Sequence, residues 1–227
     1  VNNPLASISS LAQSLLSGEG DSNRQTTLHT ILSQISRISG TLKDLVNFAR
    51  PSTTQRKAVN VNELINETLR LVTYNKRFGA IRIERELAAD LRPAFADDNE
   101  IQQVLLNLLF NAADATCGEG SRIRVVTENL ADRHNGASTR AVVLRIIDNG
   151  VGIPPDNLNR VFDPFFTTKP AGSGVGLGLS LCQRIILSNR GSIHVQSEVG
   201  KGTTVTIALP TADSATQTQL ASAVSVQ

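Results

Sequence analysis

The chain is predicted to be α+β: an antiparallel helical hairpin, which makes a four-helix bundle on dimerisation, followed by an α/β sandwich. Three observations predict it. Leu28, Ile31, Ile35, Ile38, Leu42 and Leu45 recur at alternating spacings of three and four, the seam of a coiled coil or helical bundle. The apolar run 142–147 reads as a buried strand that enters a glycine turn, and a second, richer glycine turn leads into an apolar helix stopped by Gly191. Residues 192–198 and 203–209 then read as a hairpin across Val199-Gly200-Lys201-Gly202, the antiparallel part of one mixed sheet.

Taken in order, the chain starts with a helix from Pro4 that carries Leu5, Ile8, Leu11, Ala12, Leu15 and Leu16, and breaks over residues 18–23. The heptad helix follows and stops near Ala49-Arg50-Pro51, because proline disfavours helix in the residue before it. A two-helix hairpin cannot bury its seam on every side, so a homodimer is expected, with packing on the chain's own downstream domain as the alternative. Residues 1–50 form this hairpin, 51–58 a polar linker, 59–210 the second domain, and 211–227 a tail rich in Ala, Ser, Thr and Gln that is expected to be disordered.

In the second domain Asn60 or Asn62 can cap a helix carrying Leu64, Ile65, Leu69, Leu71 and Val72, and residues 81–86 alternate as a strand. Asp97, three residues before Glu100, is an acidic variant of the capping box. The helix it opens, 100–115, has Ile101, Val104, Leu105, Leu108 and Ala112 on one face, and Gln103, Asn107 and Asn111 together on another with Asp114 close by. Asparagine is a poor helix former, so two of them inside a well-patterned helix need a reason.

Composition limits the function. The 227 residues have room for one large domain or two modest ones. With 22 basic and 20 acidic residues, the net charge of +2 makes no electrostatic case for nucleic acid. Cys117 and Cys182 are too few for a disulfide framework or a zinc site. No apolar run approaches the roughly 20 residues of a membrane helix, so no membrane contact is expected of these residues. The chain opens with neither a signal peptide nor an initiator Met, and reads as part of a longer protein whose sensor or membrane region would lie upstream.

The chemistry concentrates in residues 146–181. Asp148 stands at a strand end, followed by Asn149-Gly150-Val151-Gly152. A carboxylate fixed there can accept a hydrogen bond from a flat amine such as that of adenine, while the glycines let backbone come close. A plain hairpin turn at Asn149-Gly150 is the competing reading. Residues 172–179, Gly-Ser-Gly-Val-Gly-Leu-Gly-Leu, run into a helix whose N-terminal amides suit phosphate. This is neither a Walker loop nor a dinucleotide fingerprint. A carboxamide oxygen of this asparagine pair can ligate Mg2+, which takes the rest of its shell from water and substrate phosphates, the competing reading being solvated or core-bonded asparagines.

In order and spacing, Asn107-Leu108-Leu109-Phe110-Asn111-Ala112, Asp148 to Gly152, Phe162-Asp163-Pro164-Phe165-Phe166, and Gly174-Val175-Gly176-Leu177-Gly178-Leu179 resemble the N, G1, F and G2 boxes of bacterial sensor histidine kinases. Gly202-Thr203-Thr204-Val205 resembles the strand that ends the same domain. The likeness covers about 150 residues, and four motifs in sequence make it highly specific. Val1-Asn2-Asn3-Pro4-Leu5 is similar to the end of the family's phosphoacceptor motif, whose histidine and acidic neighbour would then precede Val1. On that reading the chain alone is not expected to autophosphorylate. His29, His134 and His194 stand in no equivalent motif.

The resemblance implies an ATP-binding domain of the GHKL type, with Asn111 on Mg2+ and Asn107 on the phosphates. It implies that Asp148 binds the adenine amine, that Gly150 and Gly152 shape the base pocket and that Thr203 supports a water near it. Gly174, Val175, Gly176, Leu177 and Gly178 would hold the phosphates under a lid, with Lys169 near the γ-phosphate and Phe162, Phe165 and Phe166 anchoring the lid. Asn3 matches the position that orients a water to dephosphorylate a response regulator receiver domain. The implied reaction is transfer of the γ-phosphoryl group of Mg-ATP to a histidine and then to an aspartate of that regulator. Two alternatives remain: a non-catalytic ATP-binding dimer scaffold, and an ATP hydrolase of the kind found in chaperones, topoisomerases and mismatch-repair proteins. The hydrolase would need a general base on the asparagine helix, where Asp114 is the only acid near.

Overall fold

In this computed structural model residues 2–18, 20–49, 55–116, 118, 120–134, 137–169 and 175–213 are described. Backbone proximity divides the chain into two compact units: Val1–Pro51 with Phe165–Leu177, and Ser52–Pro164 with Gly178–Gln227. Gly174, Cys117, residues 51–54 of the expected linker and residues 214–227 of the expected tail lie outside the described residues.

The first unit holds helices α1 (Asn2–Gly18) and α2 (Ser22–Ala49), packed against each other. Asp21 starts α2: its carbonyl accepts from the Gln25 amide at 2.9 Å and its carboxylate from the Asn23 amide at 2.9 Å. The heptad seam is divided between two surfaces. Leu28 and Leu42 are half-buried and Ile35 is buried, whereas Ile31 and Ile38, one half-heptad away, are exposed. On α1, Ala12 is buried and Leu5 and Leu16 are half-buried, while Ile8, Leu11 and Leu15 are exposed.

The second unit is a layer of helices on a five-stranded mixed sheet, preceded by β1 (Lys57–Val59), which pairs with β3 (Ala94–Ala96) in a two-stranded sheet. The strands of the large sheet are β2 (Arg82–Leu87), β4 (Arg122–His134), β5 (Ala137–Asp148), β6 (Ser192–Glu198) and β7 (Gly202–Pro210), in the order β2-β4-β5-β7-β6. Only β2 and β4 run parallel; the other pairs are antiparallel. The expected β6–β7 hairpin is present, with its loop one residue shorter because Gly202 pairs with Glu198.

Helices α3 (Val61–Thr73), α4 (Asp98–Ala115) and α6 (Gly178–Ser188) form the layer on this sheet. A short helix, α5 (Pro155–Leu158), packs near β6. Ile65, Ile101, Leu105, Leu108, Leu109, Ile186, Ile123, Leu144, Ile146 and Ile207 are almost fully buried between the layers, each contributing roughly 1.5–3 kcal/mol relative to exposure. The caps act as the sequence indicates. Asn60, rather than Asn62, caps α3 by accepting from the Glu63 amide, and Asp97 caps α4 by accepting from the amides of Asn99 and Glu100. Asn62 instead joins Ala88 and Thr127, tying α3 to the sheet.

Two expected boundaries move. The end of the polar linker is fastened to the second unit: the Gln55 amide donates to Asp97 Oδ2 at 2.9 Å, Arg56 donates to the Ser188 carbonyl, and Lys57 opens β1. At the other end Thr211 is buried at 1% exposure and bridges to Ala94, and the Ala212 amide donates to the Pro93 carbonyl. Both extensions meet β3, β1 by strand pairing and Thr211 by its bridge to Ala94, a tertiary effect that local polarity does not encode.

Candidate nucleotide site

The site is assembled where β5, α4 and the β6–β7 hairpin meet. Asp148 is the last residue of β5 and lies opposite Thr203 in the register with β7. Its Oδ1 accepts from the Gly150 amide at 2.9 Å and from the Thr203 amide at 3.2 Å. Asp148 is only 8% exposed, and burial raises its carboxyl pKa against the opposing pull of those two amides.

The turn after Asp148 is not a hairpin turn, because the chain leaves the sheet toward α5. Asn149 holds it in place instead: its Oδ1 accepts from the Arg122 amide at 2.8 Å, its Nδ2 donates to the Gly120 carbonyl at 2.9 Å, and its own amide donates to the Arg122 carbonyl. The two glycines are required by close approach. A Cβ at Gly150 would lie 2.4 Å from the Ala115 carbonyl oxygen, and the Val151 amide donates to that same oxygen. Gly152, at φ 72°, sits against the Glu198 backbone, where a Cβ would come within 2.2 Å of the carbonyl oxygen. Both therefore lock the turn onto α4 and the β6–β7 hairpin.

On α4, Asn111 and Asn107 are half-buried on one face. The Asn111 carboxamide nitrogen lies 3.7 Å from the Cβ position of Gly178, the first residue of α6. The asparagine helix thus meets the N-terminus of the glycine-entered helix, where free amides and the helix dipole favour an anion. Asn107 Nδ2 is shielded from solvent with no partner of ordinary hydrogen-bond geometry; it lies against the thiol of Cys182, a weak acceptor. Cys182 itself is fully buried, which pushes its thiol up to about 12.

Among the described residues no cluster of three or more His, Cys, Asp or Glu could hold a metal ion. Asn111 offers one carboxamide oxygen, and a Mg2+ ion would take the rest of its shell from waters and phosphate oxygens. Asp114 is engaged by Arg77 at 3.2 Å, and the Arg77 guanidinium also lies over the Phe110 ring, which meets Phe78 edge-on. The 3-10 turn Lys76–Phe78 thereby clamps the outer side of α4.

Lys169, Val175, Gly176 and Leu177 belong to the first unit. The Phe165 amide donates to the Gly176 carbonyl at 3.0 Å, and Gly176 packs on the Phe165–Phe166 backbone, so the phenylalanine and glycine boxes close a loop on each other. Lys169 is half-buried, its amide donating to Thr167 Oγ1. The side chain of Asn3 lies outside the described residues, although its backbone is in the first turn of α1.

Sequence reasoning missed Ser197 and Asn149. Ser197 Oγ accepts from the Ile153 amide at 2.8 Å, donates to the Gly202 carbonyl at 2.9 Å and lies 2.9 Å from Thr203 Oγ1. A serine in a strand and an asparagine in a turn carry no local signal of such roles; only the spacing of the whole hairpin from Asp148 could have suggested them.

The family of histidine kinase-, DNA gyrase B- and HSP90-like ATPases matches residues 96–213, and the histidine kinase A phospho-acceptor domain matches residues 1–54. The chain is 39% identical over 92% of its length to the signal transduction histidine-protein kinase AtoS of Escherichia coli (strain K12), covering 33% of that protein. It is 33% identical over 92% of its length to the sensor histidine kinase ZraS of Salmonella typhi, covering 43% of it. The chain therefore spans less than half of these curated relatives. Among solved structures, the mycobacterial sensor histidine kinase MprB aligns with a TM-score of 0.56 at 28% identity, over 69% of this chain and 98% of that one. Histidine kinase ThkA in complex with response regulator protein TrrA aligns with a TM-score of 0.66 at 25% identity, over 92% of this chain and 60% of that one. Two family matches, one over the hairpin and one over the sandwich, place the chain in the two-component sensor histidine kinases, with a GHKL-type ATPase domain.

Proposed function

We propose that this chain is a kinase core that binds Mg-ATP and passes the γ-phosphoryl group to a histidine of the helical domain, for relay to an aspartate of a response regulator. The observation that carries the reading is Asp148: a buried carboxylate with Oδ1 fully engaged by two backbone amides, which leaves Oδ2 to accept from the amine of an adenine. Gly150 and Gly152 fix the turn that holds it, and Thr203 stands beside it. Asn111, on α4 beside the first residue of α6, is assigned to the metal, and Asn107, one turn earlier on α4, to the phosphates. Bound there, Mg2+ would neutralise charge on the phosphates. The chain's own part is positioning, the larger share of catalysis in phosphoryl transfer.

Lys169, Gly174, Val175, Gly176, Leu177 and Gly178 are proposed to contact the phosphates, and Asn3 to orient water in a phosphatase reaction on the receiver domain. A crystal structure holds ThkA in complex with response regulator protein TrrA, which supports a receiver domain as partner here. Dimerisation through the hairpin is supported by the exposed Ile8, Leu11, Leu15, Ile31 and Ile38, an apolar strip of the kind that a second copy covers. The hydrolase alternative is disfavoured because Asp114 is paired with Arg77 rather than free to act as a base.

Amide hydrogen exchange tests the proposal. Added Mg2+ and a non-hydrolysable ATP analogue should slow exchange at residues 148–152 and 202–203; unchanged exchange there with saturating analogue would reject the site.

A further inference from the structure

Ser197 has one proton and three polar neighbours. The Ile153 amide can only donate and the Gly202 carbonyl can only accept, at 2.8 and 2.9 Å. Thr203 Oγ1, at 2.9 Å, can do either. All three contacts are hydrogen bonds together only if the Ser197 proton goes to Gly202 and Thr203 donates its own proton to Ser197. Thr203 is 9% exposed and Asp148 8%, so neither hydroxyl nor carboxylate is free to be rearranged cheaply by water.

We infer that Ser197 is a specificity-determining residue of the nucleotide site: by consuming the Thr203 proton it leaves Thr203 Oγ1 an acceptor only. The inference rests on the adenine reading of Asp148. With Asp148 Oδ1 occupied by two amides and Oδ2 an acceptor, the wall formed by Asp148 and Thr203 then offers lone pairs alone. Such a wall takes the protons of an exocyclic amine directly. It repels an oxo group at the same position of the purine. Ser197 thus extends selection for a 6-amino over a 6-oxo purine from one residue to two, although its own side chain need not touch the base.

The test compares binding of non-hydrolysable adenosine and inosine triphosphate analogues, with Mg2+, to the parent chain, Ser197→Ala and Ser197→Thr. In Ser197→Ala the freed Thr203 hydroxyl can donate to the oxo group, so the preference for the adenosine analogue should narrow by roughly tenfold, the effect of about one hydrogen bond. Ser197→Thr keeps the acceptor and should retain the parent's preference. An alanine variant that binds the adenosine analogue with an unchanged preference overturns the inference alone. A parent chain that binds neither analogue overturns the adenine reading and the inference with it. If Ser197→Ala does not fold, the Thr203 hydroxyl proton of the nucleotide-bound parent decides the matter by NMR. A nuclear Overhauser contact to the Ser197 Hβ protons supports the assignment, and one directed to the base instead overturns it.

Discussion

The Thr203 amide donates to Asp148 Oδ1 at 3.2 Å across the β5–β7 pair, so the carboxylate proposed to read the base is held by the strand that ends the fold. The same oxygen takes the Gly150 amide from its own turn. Binding chemistry and fold closure therefore meet in one atom, and predictions about function carry consequences for stability.

Asp148→Asn separates the two. The amide oxygen can still accept from Gly150 and Thr203, while the buried charge is gone. Burial raises the Asp148 carboxyl pKa, so this group favours the fold when protonated, below the ordinary carboxyl range, and loses that contribution as pH rises through its raised value. Thermal melts should therefore show the asparagine variant at least as stable as the parent at neutral pH, with the difference closing in acid. Nucleotide affinity should fall tenfold or more, about 1.4 kcal/mol. A destabilised variant with parental affinity would contradict both assignments.

Asn111→Ala should abolish the magnesium dependence of nucleotide binding while leaving the melt nearly unchanged, because the residue is half-buried at the edge of the helix layer. Titrations with and without Mg2+ check it. Retained metal dependence would remove Asn111 from the metal.

Asp97→Ala removes the cap of α4 and the anchor of the Gln55 amide together. The cap alone is worth about 1–2 kcal/mol, which in a domain of this size lowers the melting temperature by roughly 2–8 °C. Because α4 carries Asn107 and Asn111, weaker nucleotide binding should accompany the loss, and scanning calorimetry with saturating nucleotide should recover part of it.

Ile38→Glu places a charge on the exposed half of the heptad seam, away from Ile35 in the hairpin interior. Sedimentation equilibrium should find a dimer for the parent chain and a monomer for the variant, with nucleotide affinity unchanged. A variant that remains dimeric would place the interface elsewhere.

Much of this was legible in the sequence because it is locally encoded. The heptad of α2, the cap at Asp97 and the β6–β7 hairpin each follow from periodicity or turn chemistry within a dozen residues. The heptad did not reveal that its two half-sets face different ways, since Ile31 and Ile35 are alike as residues and differ only in what α1 covers. Strand β4 and the small β1–β3 sheet went unread. Gln55 and Arg56 look like linker until Asp97 and Ser188 are brought to them across the fold. In the site, Asp148, Gly150 and Gly152 stood out by their spacing. Ser197 did not, because a hydroxyl's function here lies in three partners contributed by residues 153, 202 and 203.

Calorimetric titration of the chain with a non-hydrolysable ATP analogue, with and without Mg2+, tests the central claim most directly. The account predicts saturable binding that requires Mg2+ for full affinity. Absence of binding, or binding indifferent to Mg2+, would contradict it.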